Sequence, residues 1–245
     1  MGIEKKIISF CLWGNNAKYI IGAIKNAELA RKLYPGWICR FYVGKSTLDE
    51  SAIFIAQLES FSNVEIVKMD VQGDWRGMFW RFFPASDNDV DIMISRDTDS
   101  RLSKREKYAV DEWLRSGKKF HIIRDHPYHH FKILGGMWGA RRGTIPDMKK
   151  LIDEYGKGDF WQVDQNFLAE VIYPKISSEA FIHDEFGKGK KNPKKRKNFE
   201  FIGDVFDELD QRHPDHWKEL KLIKVEKSLV EKKIHSIWKK LKKTY

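Results

Sequence analysis

Residues 89–101 read DVDIMISRDTDSR, an apolar strand that runs without a break into a polar knot holding Asp97-Thr98-Asp99. Short apolar runs of this kind belong to strands buried on both faces of a sheet covered by helices. Working upstream, the same alternation recurs. IISFCLW (7–13) reads as a buried strand, and 17–34 as a helix with Ile20, Ile24, Ala27 and 30–33 on its apolar side, stopped by Pro35-Gly36. Strands are expected at 37–43 and 64–69, a helix at 48–61, and a short aromatic helix at 78–83. Downstream come a helix at 107–115, a strand at 119–123, and a His- and Gly-rich stretch, HPYHHFKILGGMWG (126–139). Helices at 146–155 and 163–172 follow, and Phe181 opens a final loop. Strand–helix alternation predicts an α/β domain with a mostly parallel central sheet flanked by helices on both faces. Such sheets bind ligands beyond the carboxyl ends of their strands, which directs attention to 12–16, 70–73 and above all 96–101.

The 245 residues suffice for one such domain, assigned to 1–220, and 42% apolar content excludes a disordered chain. No apolar run approaches the roughly 20 residues that span a bilayer. The amino-terminal residues show neither a cleavable leader nor a myristoylation pattern, and Cys11 and Cys39 sit within apolar runs. The expectation is a cytoplasmic protein with two reduced thiols. The formal charge of +10 is unevenly placed: 187–197 carries seven basic residues and no acid, and 224–245 adds a net +6, leaving the rest of the chain at −3. A duplex-binding fold spreads its basic groups over a docking face, so no specific nucleic-acid partner is expected. The tail at 221–245 places Leu222, Val225, Leu229, Ile234 and Trp238 at helical spacing against lysines. It reads as a basic amphipathic helix, either packed on its own domain or, through 222–243, in peripheral contact with an anionic membrane.

The chemistry centres on Asp97 and Asp99. At the end of an extended segment, residues i and i+2 point the same way, so both carboxylates converge at the rim of the crevice. Paired oxygen ligands there suit Mn²⁺ or Mg²⁺, which would grip a diphosphate; a solvated turn is the alternative. His183, in FIHDEFGKGK, reads either as a structural histidine or as the third ligand, which would favour Mn²⁺, and the cationic 187–190 either as a solvated loop or as a segment that folds over phosphates. Gly135, Gly136 and Gly139 permit either close backbone approach to a sugar or a tight turn. Asp164-Gln165, opening a helix after Phe160-Trp161, either complements the helix dipole or binds sugar hydroxyls. Arg81, set among aromatics, requires a carboxylate or the donor as partner, and we assign it to the donor. His126, His129 and His130 lack cysteine partners and flank Pro127, so they are not read as a zinc site.

These stretches, together with SFCLWG, YPGWICRFYVG, GMFWRFFPASD and ILGGMWGARRG, resemble GT-A-fold, Rossmann-like glycosyltransferases, in particular small bacterial and large-DNA-virus proteins related to that fold. The resemblance covers roughly 7–143. Further on, the order of glycines, Asp-Gln and His-x₃-Gly-Lys is similar to that of glycogenin-type and bacterial galactosyltransferase enzymes, without the Lys-Pro-Trp expected after the last glycine. The resemblance implies hexosyl transfer from a nucleotide-diphosphate donor, UDP-linked, to a glycan or lipid-linked acceptor, with retained configuration. It implies that Leu12, Trp13 and Gly14 line the base and ribose pocket, with Tyr19 and Thr98 also facing the donor. Asp97 would touch ribose and metal, Asp99 the metal, His183 the metal and diphosphate, Lys188 or Lys190 the phosphates, and Gly135, Gly136 and Asp164 the sugar. Two other classes stay open on the residues alone: a metal-dependent phosphohydrolase or nuclease using the same Asp pair, and a non-enzymatic basic module that binds membrane or nucleic acid.

Overall fold

The computed structural model describes residues 4–158 and 160–224. The tail helix expected at 221–245 lies outside the described residues from 225 onward; before that point, 214–224 is helical. Among the described residues no helix is long and apolar enough to cross a membrane.

Seven strands form one sheet in the order β3-β2-β1-β4-β6-β5-β7. They are β1 (Lys6–Leu12), β2 (Trp37–Val43), β3 (Val64–Lys68), β4 (Ile92–Ser95), β5 (Phe120–Arg124), β6 (Trp138–Arg141) and β7 (Ala180–Asp184). β1 to β4 run parallel, with Ser9 opposite both Arg40 and Ser95, while β6 is antiparallel to β4 and to β5. The chain steps outward from β1 through β2 to β3, then crosses back to place β4 on the other side of β1. The strand order therefore reverses at β1 and β4, and the crevice beyond their carboxyl ends is the place where such a sheet receives a ligand.

The helices follow the apolar spacing. α1 (Ala17–Leu33) starts at Asn16, whose side chain accepts from Lys18 N, and buries Ile20, Ala23, Ile24 and Ala27. The helix expected at 48–61 is two, α2 (Lys45–Glu50) and α3 (Ala52–Glu59), because Ser51 leaves helical geometry at φ −129°, ψ 32°. α4 (Lys104–Ser116) is capped by Ser103, which accepts from Glu106 N, and ends at Gly117 with φ 72°. The aromatic segment Trp75–Ser86 is a run of 3-10 turns. α5 (Met148–Tyr155) and α6 (Val163–Phe167) complete the second face, α6 continuing through the wider turn Leu168–Ile172. One core lies under α1, α3 and α4, where Phe10 stacks on Phe41 at 4.8 Å. The other lies under the aromatic segment and α5–α6, where Trp138 stacks on Phe120 at 5.2 Å.

Two strands depart from expectation. β6 falls in what reads as a glycine-rich turn; Gly139 is a strand residue because a Cβ there would stand 2.9 Å from Met93 O and from Ile94 Cγ2. Phe181 opens no loop but lies in edge strand β7, paired in parallel with β5. β4 also starts later than residue 89, since 88–89 is a turn and the first ladder pair with β1 is Lys6–Ile92.

Candidate active-site cleft

β4 delivers Ser95 fully buried, and the chain then turns: Ser100 donates to Asp97 O through both its N (3.3 Å) and its Oγ (2.9 Å). Asp97 and Asp99 thus converge through a turn, not through the strand alternation expected from the sequence. α1 holds this turn from behind. Asn26 Nδ2 donates to Ser100 O (2.8 Å) and Thr98 O (3.3 Å), while its Oδ1 accepts from Leu102 N (3.0 Å). Gly22 permits the approach, since a Cβ there would fall 1.9 Å from Thr98 O. Lys18, one helical turn earlier, donates to Asp99 Oδ2 at 3.0 Å. Burial raises the Asp99 carboxyl above its usual range, helped by the Asp97 charge and opposed by Lys18.

Beside the turn lies a buried charge cluster. Arg81, presented by the aromatic 3-10 segment, donates through Nη1 to Asp97 Oδ1 and through Nη2 to Asp164 Oδ2, both at 2.6 Å. Burial works against the guanidinium charge, yet Asp97, Cys11 and Asp164 outweigh it. Asp164 is 1% exposed, and its Oδ1 accepts from Gln165 N. Burial raises its pKa more than Arg81 lowers it. Burial also pushes the Cys11 thiol up to about 11. The glycines serve this cluster: a Cβ at Gly135 would sit 2.2 Å from Asp164 Oδ2, and one at Gly136 would sit 2.0 Å from Asp97 Oδ2. At both positions the absence of a Cβ lets the backbone meet an acid side chain.

The turn and the cluster open on a cleft of about 670 Å³. It brings together Leu12, Trp13, Gly14, Tyr19, Arg81, Asp97, Thr98, Asp99, Gly135, Asp164 and Gln165, all singled out by the sequence. Trp13 is a fixed wall: Gly73 and Gly77 close on its indole, and Trp75 meets it edge-on at 5.7 Å. Trp161, 66% exposed, stands at the rim. His129, Met137, Gly203 and Val205 also line the cleft. In the sequence His129 reads only as a rejected zinc ligand, and Gly203 and Val205 are missed because a loop far along the chain carries them. Lys18 and Asn26 were missed as well, though their one-turn and two-turn spacing on the α1 face toward the Asp loop was a usable signal.

Three expected donor ligands are placed elsewhere. His183 lies on β7, three strands from β4, or roughly 14 Å at ordinary strand spacing. Its Nδ1 meets His121 Nε2 at 2.8 Å and its Nε2 meets Glu112 Oε2 at 2.9 Å, so neither nitrogen faces the Asp pair. Lys190 pairs with Glu112 on α4, and Lys188 is exposed on the same side. On either side of 187–190, Arg105 pairs with Glu185 and bonds Lys194 O, and Arg196 pairs with Asp125. Arg81, assigned to the donor, is already bound by two carboxylates, as the core-acid alternative requires.

Among the described residues no group of three His, Cys, Asp or Glu could hold a metal ion. Asp97 and Asp99 alone fit a hard cation that keeps waters and takes its remaining ligands from a substrate's phosphates. The local charge agrees: among the described residues Asp97, Asp99 and Asp164 pair only with Lys18 and Arg81, so a diphosphate would enter a net negative site unless a cation came with it.

No family model and no curated protein matches the chain. Among solved structures it is similar to 4-diphosphocytidyl-2C-methyl-D-erythritol synthase from Anaerococcus prevotii, with 8% identity over 74% of this chain and 87% of that one and a TM-score of 0.48. It is also similar to the mannosyltransferase PcManGT from Pyrobaculum calidifontis, described in complex with GDP-Man and Mn²⁺, with 12% identity, 75% and 56% coverage, and a TM-score of 0.45. A third is the glycosyltransferase GlyE of Streptococcus pneumoniae, at 12% identity, 75% and 46% coverage, and a TM-score of 0.48. This chain thus spans about half the length of the latter two.

Proposed function

We propose that this chain is a GT-A-type, metal-dependent glycosyltransferase that moves a hexose-type sugar from a UDP-linked donor to a glycan or lipid-linked acceptor, retaining configuration. The observation that carries the reading is the turn after β4. Two carboxylates leave the central strand where the strand order reverses and open on a cleft of about 670 Å³. The sequence resemblance of residues 7–143 to this class supports it.

Leu12, Trp13 and Gly14, at the carboxyl end of β1, form the base and ribose wall, and the packed indole gives that wall its rigidity. Transfer breaks the bond between the anomeric carbon and the diphosphate oxygen, with the electron pair leaving on that oxygen, while the acceptor hydroxyl oxygen bonds the anomeric carbon and its proton passes to the departing phosphate. A divalent cation held by Asp97 and Asp99 would neutralise the charge developing there. Arg81 fixes Asp97 at the Oδ1 side and so sets where the Asp pair points. Asp164 holds Arg81 and, with both oxygens engaged, acts as an orienting group and not as a proton acceptor. Gln165 and the Gly135-Gly136 backbone face the sugar, and the acceptor hydroxyl enters past Trp161.

The test is a thermal-shift titration with UDP, GDP and CMP, each with and without Mn²⁺. A nucleotide at about 100 times its Kd stabilises the fold by roughly 2.7 kcal/mol. The expected result is a rise with UDP that needs Mn²⁺ and vanishes in Asp99→Ala. No rise with any nucleotide would overturn the proposal.

A further inference from the structure

Histidines gather on the wall of the cleft beyond β6. His126 lies 5.7 Å from His129 and 5.9 Å from His216 between ring centroids, and His213 lies 4.7 Å from His216. His129 alone of these lines the cleft. Its ring is fixed from behind. Nδ1 accepts from Asp125 N at 3.1 Å, and Asp125 is itself held by Arg105 at 2.6–2.7 Å and by Ile202 N at 2.9 Å. Phe201 covers one side at 5.8 Å.

A neutral imidazole carries one proton, and because Nδ1 accepts, that proton is on Nε2. Burial holds the ring neutral, its pKa pushed down to about 3. Among the described residues Nε2 has no hydrogen-bond partner. The loop that carries His129 joins β5 to β6, so it lies on the β6 side of the Asp pair, opposite Leu12–Gly14 at β1. In the donor site proposed above, a nucleotide seated against β1 with its diphosphate at Asp97 and Asp99 would extend its sugar toward this wall.

We infer that His129 is a specificity-determining residue whose Nε2–H donates to an oxygen of the transferred sugar. The inference rests on the donor site proposed above. Its physical basis is asymmetric: a fixed donor rewards a sugar that offers an oxygen at that point and penalises one that leaves the donor unpaired. With Nδ1 committed to the backbone and Nε2 protonated, the ring has no lone pair for a metal, so it reads the sugar and does not ligate the cation.

The test compares His129→Asn with His129→Gln. The Asn side chain keeps an acceptor oxygen near the Nδ1 place but loses the distal N–H; the Gln side chain carries an amide N–H close to the Nε2 place. Affinities for UDP, UDP-glucose, UDP-galactose and UDP-N-acetylglucosamine are measured calorimetrically with Mn²⁺. The wild type is expected to bind one sugar nucleotide more tightly than UDP. In H129N, UDP affinity stays unchanged while the affinity for that sugar nucleotide falls roughly tenfold, and H129Q recovers it. A sugar gain that survives in H129N, an equal loss for UDP and sugar nucleotide, or no sugar gain in the wild type would each overturn the inference while leaving the nucleotide site intact. Failure of the wild type to bind any nucleotide would overturn the donor site and the inference together. Should H129N not fold, the ring ¹⁵N spectrum of the wild type decides: an Nε2–H tautomer is expected, and an Nδ1–H tautomer refutes.

Discussion

Replacing Arg81 with Met removes the one cation shared by Asp97 and Asp164. The Arg81 side chain is 7% exposed and that of Asp164 1%, so the variant leaves a carboxylate buried with Gln165 N as its remaining partner. Breaking a buried pair by removing one partner costs about 3–5 kcal/mol. The Asp97 contact adds little, because that side chain is 40% exposed and solvent screens it. Asp164→Asn in the Met background deletes the stranded charge, and it should return about 2–3 kcal/mol. The assay is urea denaturation of the wild type, R81M, D164N and the double variant at neutral pH, read as a double-mutant cycle. pH supplies an independent arm. Burial already raises the Asp164 pKa in the wild type, and loss of Arg81 raises it further. The folded variant then binds more protons than the unfolded chain, whose carboxylate titrates near about 3.9. Its stability deficit must therefore grow as pH rises from about 4 and be smallest in acid. A coupling below about 0.5 kcal/mol, the additive range, with a deficit flat in pH, would refute the cluster as described.

Gly22→Ala places a Cβ 1.9 Å from Thr98 O, a backbone atom that cannot swing away, so α1 must back off the Asp turn. Overpacking of this kind costs about 1–3 kcal/mol in urea melts and should weaken UDP–Mn²⁺ binding as well; unchanged stability would mean the helix does not touch the turn. The buried histidines make the fold acid-labile, since burial lowers His121 well below its usual value and takes His129 to about 3. The unfolded chain binds these protons near pH 6.5, so stability present above 6.5 is lost as pH falls toward 3, by up to about 1.4 kcal/mol per pH unit for each ring; denaturation at pH 7.5, 6 and 5 checks this, and equal midpoints would refute it.

The sequence by itself determined the local parts. Apolar runs and helical spacing mark β1 to β4, α1, α4 and α5, and the same reading puts Asp97 and Asp99 at a strand exit in the crevice, because those features depend on neighbours a few residues away. Arg81's need for a carboxylate was legible too, as a cost of burial, though not which acid would meet it. Only the tertiary structure decided the rest. β6 is masked by its glycines, whose reason is the close approach of β4. His183 and Asp97 sit in suggestive order along the chain, but β7 joins the sheet at its edge beside β5, and strand order is a long-range property with no local signal. The ion pairs that flank the lysine run, Glu185 with Arg105 and Arg196 with Asp125, join residues far apart in the chain and are invisible in it. His129 becomes informative only once Asp125 N takes its Nδ1, since which nitrogen bears the proton is set by the partner the fold supplies.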